Sequence, residues 1–145
     1  MKNKVREFVA STSITINASP AEIWAALTDP DKIYQYMFGT QVVSDWEEGS
    51  PIVWHGEWHG KEYEDKGQIL TIEPERVLQY SHFSPLSGQP DKPENYHVVT
   101  IELSGEGPET TVWLTQDNNA SEQERDESER NWRMMLESLK ALLES

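Results

Sequence analysis

Apolar and polar residues alternate through the middle of this chain and change to a three- and four-residue spacing towards its end. In "RVLQYSHF", Leu78, Tyr80 and His82 share one parity, while Val77, Gln79 and Ser81 share the other. The runs "PIVWHGEW", "EDKGQILTI", "YHVVTIEL" and "TTVWLTQD" are likewise short and rich in β-branched and aromatic residues. Such alternation puts successive side chains on opposite faces of a strand. The turn-forming stretches "HGK", "EPE" and "SGEGPE" divide the runs into antiparallel hairpins. "EFVASTSITIN" reads as an earlier strand and "TQVVSDW" as a less regular one. Ser84 to Asn95 forms a longer loop holding three of the eight prolines.

The helices announce themselves by their caps. Ser19, Pro20 and Glu22 supply a capping box with proline in the first turn, starting a short helix to Leu27 whose Ile23, Trp24 and Leu27 share a face. Asp29 and Pro30 start a second short helix towards Tyr36. Ser121 and Glu124 form a further box ahead of a long helix, Glu122 to Leu143. Its Trp132, Met135, Leu136, Leu139, Leu142 and Leu143 make one apolar stripe. Glu122, Glu124, Asp126, Glu127 and Glu129 suit the positive end of its dipole and otherwise read as a solvated face. The order predicts one α+β domain over residues 1–145. An antiparallel sheet with one apolar face needs a cover, and the long C-terminal helix supplies it.

Strand parity gives that covered face its chemistry. If the Ser84–Asn95 loop closes symmetrically, His82 lies opposite His97, Tyr80 opposite Val99 and Leu78 opposite Ile101. The next hairpin adds Val112, Leu114 and Gln116 and leaves Trp113 outside. In the first hairpin Ile52, Trp54, Gly56 and Trp58 face inward. A turn at His59-Gly60 brings Tyr63, Asp65, Gly67 and Ile69 to the same side. Asp65, His82 and His97 then form a polar band above an apolar floor, with Gln116 near its end, and Gly56 and Gly67 leave room over the sheet. An apolar concavity with a few polar groups at one end is the usual anatomy of a small-molecule site. The candidate binding residues are Trp54, Trp58, Tyr63, Asp65, Tyr80, His82, His97, Val99, Leu114, Gln116, Trp132 and Leu136. An Asp–His pair also serves as a satisfied buried pair or as an acid–base couple.

"WHGEWHG" offers His55, Glu57 and His59 at every second position. On a strand the first two face away from the covered side, and the turn diverts the third. No metal site is expected there, and nothing in the chain calls for a cofactor.

Composition narrows the partners. The 145 residues are 36 % hydrophobic, enough for a core without staples, and carry 26 acidic against 12 basic side chains, a formal charge of −14. Such a polyanion repels phosphate backbones and anionic lipid surfaces. With no cysteine there is neither disulfide nor thiolate chemistry. "MKNKVREFVASTSI" lacks the apolar core of a signal peptide, and no run reaches the roughly 20 apolar residues of a membrane span. A soluble cytoplasmic protein is expected.

"ITINASPAEIWAALTDPDKIYQYM" resembles the opening strand and paired helices of the activator of heat-shock protein 90 ATPase homologue family, within the START-like or SRPBCC superfamily. "GQILTIEPERVLQYS" is similar to its strand–turn–strand segment, "TTVWLTQ" to its last strand and "NWRMMLESLKALLE" to its C-terminal helix. The likeness runs from about Ile14 to Leu143. Asn131 stands where family members often carry glycine. The resemblance implies a helix-grip fold, in which a curved antiparallel sheet wraps the long helix around a cavity. Superfamily members hold lipids, sterols, polyketides or plant hormones there. The eukaryotic namesake stimulates a chaperone ATPase through an additional domain, and the resemblance transfers no catalytic set.

Three functions follow. The first is a binding module for a small, largely apolar ligand in a cavity bounded by Trp54, Tyr80, Val99, Leu114 and Trp132. The second is a chaperone-linked protein-interaction module of the stress response, with a filled core and an exposed apolar patch such as Trp113 or the Pro-rich Ser84–Asn95 loop. The third is a cyclase- or dehydratase-type enzyme using Asp65 and His82.

Overall fold

The computed structural model describes residues 8–58 and 60–144, with the side chains of Trp58 and Glu106 outside that description. The strands are β1 (Ala10–Ile16), β2 (Gln41–Ser44), β3 (Pro51–Trp58), β4 (Lys61–Glu73), β5 (Val77–His82), β6 (His97–Glu106) and β7 (Glu109–Gln116). The helices are α1 (Pro20–Leu27), α2 (Pro30–Tyr36) and α3 (Glu122–Glu144). Together they make an α+β helix grip: a curved, seven-stranded antiparallel sheet closed over by α3. The order β1-β7-β6-β5-β4-β3-β2 puts β1 and β2 on opposite edges, so α1 and α2 carry the chain from one edge to the other.

The caps form as the sequence dictates. The Ser19 hydroxyl accepts from the Glu22 amide at 3.2 Å, and the Glu22 carboxylate accepts from the Ser19 amide at 3.0 Å. Asp29 accepts from the Asp31 amide at 2.9 Å, and Ser121 Oγ from the Glu124 amide at 3.1 Å. Each satisfies a helical N–H that has no partner in its own helix.

The registers follow from the pleat. His82 pairs with His97, Tyr80 with Val99 and Leu78 with Ile101. Leu114 faces Ile101 and Gln116 faces Val99. Trp54 lies across from Asp65, and Trp58 from Lys61. A register shift between Ile69 and Thr71 of β4 turns Ile72 inward against Leu78. It falls beyond Asp65, so the polar band survives it. The concave side is lined by fully buried Ile52, Ile69, Val99, Val112 and Leu114, against Leu136 and Leu139 of α3. Burying each such side chain contributes about 1.5–3 kcal/mol.

Two expectations need correction. Gly56 and Gly67 leave no room over the sheet. A Cβ at Gly56 would collide with the Tyr63 ring, and one at Gly67 with the Ser81 carbonyl. The ring of Tyr63 folds across Gly56, and its hydroxyl is bonded to Thr40 Oγ1 at 2.8 Å. At Gly67 the neighbouring backbone of β5 comes too close for any side chain.

Nor is Glu129 of α3 simply solvated, whereas Glu122, Asp126 and Glu127 are exposed as expected. Glu129 Oε2 accepts from the Ser11 amide at 3.0 Å, and Arg133 Nη1 donates to the Ser13 carbonyl at 2.9 Å. Lys140 Nζ donates to the Thr15 carbonyl at 2.9 Å, and Glu144 Oε2 accepts from the Asn17 amide at 2.7 Å. Helix side chains thus take up backbone groups along the open edge of β1, where an unpaired row would invite another strand.

Candidate functional site

Four adjacent strands deliver the polar band to one end of the concave face. Asp65 Oδ2 lies 2.9 Å from His82 Nε2. The carboxyl accepts, so that nitrogen carries a proton. The His82 ring meets Trp54 edge-on with centroids 5.1 Å apart, and Trp54 tilts against Tyr80 at 5.0 Å. The His82 and His97 rings are 6.2 Å apart.

His97 Nδ1 sits 2.8 Å from the Asp117 carbonyl oxygen. A carbonyl only accepts, so the proton is on Nδ1, and the neutral ring keeps its lone pair on Nε2. Burial, opposed by that same hydrogen bond, holds the His97 pKa below the ordinary histidine value of 6.5. Burial also pushes the Tyr36 and Tyr80 phenols well above their usual range, so both stay protonated.

Gln116 is bound from the helix side. Trp132 Nε1 donates to Gln116 Oε1 at 2.6 Å, and Gln116 Nε2 donates to Asn119 Oδ1 at 3.3 Å. Asn119 donates in turn to the Phe8 and Gln116 carbonyls, at 2.7 and 3.1 Å, and accepts from Ser128 Oγ at 3.0 Å. One atom stands outside these bonds: Asp65 Oδ1 is buried with no hydrogen-bond partner among the described residues. An unmet buried acceptor costs about 1–3 kcal/mol.

On the far side of the Trp54–Tyr80 pair lies a partly open void of about 20 Å³, lined entirely by apolar and aromatic residues including Tyr36, Met37, Trp46 and Met135. One water needs about 10–15 Å³ on this measure, so the void has room for one. Trp54 and Tyr80 border it. Val99, Leu114 and Leu136 instead pack into the core, and Trp132 is engaged with Gln116. Trp46 has a left-handed backbone (φ 58°), as does Phe38 (φ 56°), which follows Met37. Tyr63 lies over Gly56, and the side chain of Trp58 is outside the described residues.

The site reading missed Tyr36, Met37, Trp46, Asn119 and Ser128. The cap at Asp29 already pointed to a helix face carrying Ile33 and Tyr36. Nothing local marked Trp46 as turning back towards the core.

The Ser84–Asn95 loop lies against the outer face. There Lys66 pairs with Asp91, and Tyr96 donates to Asp91 at 2.7 Å and stacks on Phe83 at 5.1 Å. An open concavity of about 600 Å³ lies beside it, lined by residues such as Gln68, Leu70 and Val98. His55 also faces outward, 3.6 Å from the exposed Glu64 across the hairpin. His59 lies outside the described residues. Among the described residues no three His, Asp or Glu side chains converge as metal ligands, and no helix is long and apolar enough to cross a membrane.

A family model described as Activator of Hsp90 ATPase homolog 1-like protein matches residues 17–144. The solution structure of ChR145 from Cytophaga hutchinsonii is 56 % identical, with a TM-score of 0.83 over 99 % of this chain and 97 % of that one. CalU16 from Micromonospora echinospora is 27 % identical, with a TM-score of 0.74 over 93 % of this chain and 73 % of its own. The Aha1 dimer from Colwellia psychrerythraea shares the fold at 20 % identity, with a TM-score of 0.69 over 91 % and 92 % of the two chains. No curated protein matches the sequence.

Proposed function

The chain belongs to the Activator of Hsp90 ATPase homolog 1-like family, and from that membership we propose that it is a cytoplasmic, single-domain grip protein that holds a small, largely apolar ligand between sheet and α3. One observation carries the reading: an apolar concave face, walled by Trp54 and Tyr80, ends in a single polar cluster of Asp65, His82 and His97. A void of about 20 Å³ is too small for such a ligand, so binding requires the lining to part. Met37 and Trp46, half-buried at its border, are the side chains that swing aside.

Amide and indole NMR spectra of the full chain, titrated with fatty acids, sterols, flavonoids and polyketide-like aromatics, test this. The indole signals of Trp54 and Trp132 move together for one ligand class while that of Trp113 stays still. Spectra unmoved by every class overturn the proposal.

A second reading, a chaperone-linked interaction module, is favoured by the nearly filled interior together with the exposed Trp113, Tyr34, Phe38 and Val43. The Colwellia relative carries the name Aha1. On this reading Trp113→Ala weakens capture of the purified Hsp90 chaperone, and unchanged capture removes Trp113 from it. An acid–base enzyme has the reach it needs, since Asp65 and His82 are 2.9 Å apart. Turnover of no cyclase or dehydratase substrate by the purified chain would set that reading aside.

A further inference from the structure

Resting on the ligand reading above, we infer that the polar end of this site takes a ligand bearing a hydrogen-bond donor, a hydroxyl or a protonated amine, which bonds to Asp65 Oδ1, and that it refuses carboxylates and phosphates.

The donors and acceptors of the cluster are unevenly spent. His82 donates through Nε2 to Asp65 Oδ2, so that oxygen is occupied. His97 spends its Nδ1 proton on the Asp117 carbonyl, which leaves Nε2 an acceptor. The indole N–H of Trp132 is taken by Gln116, and the amide N–H of Gln116 by Asn119. These donors therefore already point at protein acceptors. Asp65 Oδ1, by contrast, is buried and receives nothing from the described residues. A buried acceptor without a donor is costly, and no described residue supplies one, so a ligand donor is the group we assign to it.

A ligand hydroxyl or ammonium makes there the bond that a water would otherwise make. An anionic ligand head sits beside a carboxyl in a protein of formal charge −14. Trp54, paired across the hairpin with Asp65, supplies the apolar wall for the body of the molecule. The chemistry selected is a planar or ring-shaped apolar body with a neutral or cationic donor at one end.

Three probes with one ring system separate the possibilities: 2-naphthol, 2-naphthoate and naphthalene, titrated near neutral pH against the full chain while the tryptophan indoles are followed by NMR. The naphthol shifts the Trp54 and Trp132 signals at a concentration about ten- to a hundredfold lower than the naphthoate, the size of a hydrogen bond to a charged group, and lower than naphthalene. In Asp65→Asn the amide oxygen keeps the bond from His82, and its NH2 takes the place of Oδ1. The preference then narrows or turns towards the naphthoate. Should that variant lose its dispersed spectrum, the three probes on the native chain decide alone. A naphthoate that binds as tightly as the naphthol, or a naphthol no tighter than naphthalene, overturns this inference and leaves the ligand reading standing. Indoles unmoved by all three overturn both.

Discussion

The two ends of the concave face are built for different tasks. At the end bounded by Tyr36, Met37 and Met135 the lining is apolar and has room for one water. At the other end polar groups are threaded through the same sheet and bonded to one another and to α3, while Asp65 Oδ1 is left unmet among the described residues. The packed end holds sheet and helix together. The polar end contributes less to stability, since a typical internal hydrogen bond is worth only about 0.5–1.5 kcal/mol net. What it adds is direction, because each of its bonded groups faces a fixed partner.

Leu136→Ala breaks this comparison from the packed side. The side chain is completely buried between α3 and the sheet, and its loss costs about 2–5 kcal/mol in urea unfolding. A midpoint close to that of the parent would show that α3 is not held by its core face. Next comes Gly67→Ala, whose Cβ has to displace the Ser81 backbone beside the polar end. Overpacking of this kind costs about 1–3 kcal/mol, and an unchanged Tm would mean that β4 and β5 separate there without penalty.

Trp132→Phe sharpens the comparison at the polar end itself. It keeps most of the ring but removes the donor to Gln116 Oε1, leaving a buried amide oxygen short of a partner. Thermal unfolding should register about 1–3 kcal/mol, the penalty of an unmet buried group. A loss below that would point to a replacement donor.

The smallest effect is a pH dependence. Folded His97 binds its proton less tightly than it does in the unfolded chain, chiefly through burial. Its contribution is therefore complete above the ordinary value of 6.5 and is lost as pH falls through that value towards the lower folded pKa. The native chain should lose stability across that window more steeply than His97→Gln does. Parallel curves for the two proteins would deny His97 this role.

Much of this was legible because a strand has a period of two. Once Leu78, Tyr80 and His82 share a face, a closed loop forces His97, Val99 and Ile101 to meet them, and Asp65 follows through the His59-Gly60 turn. Helix starts were legible because a cap is a local event within a few residues. What stayed hidden depends on contacts between distant segments. The space over Gly56 is filled by Tyr63 only because Thr40 holds its hydroxyl. Trp46 borders the interior by way of a left-handed backbone that no neighbouring glycine announced. The orphan oxygen of Asp65 is a property of everything around it, and no spacing in a sequence encodes that.

The covered edge of β1 bears on how the chain is made. Ser11 is synthesised 118 residues ahead of Glu129, the first of the α3 side chains that take up its edge. During translation a nearly complete sheet therefore waits with one long side bare, until α3 emerges from the ribosome. The hazard of strand-to-strand association is concentrated in that interval, when a nascent chain on one ribosome can meet another on the same message. A chain stopped before Ser121 stays in that state, and sizing it by light scattering should find assemblies that the chain carrying α3 does not form. The charges of α3 act late, as the closure of an edge left open through most of synthesis.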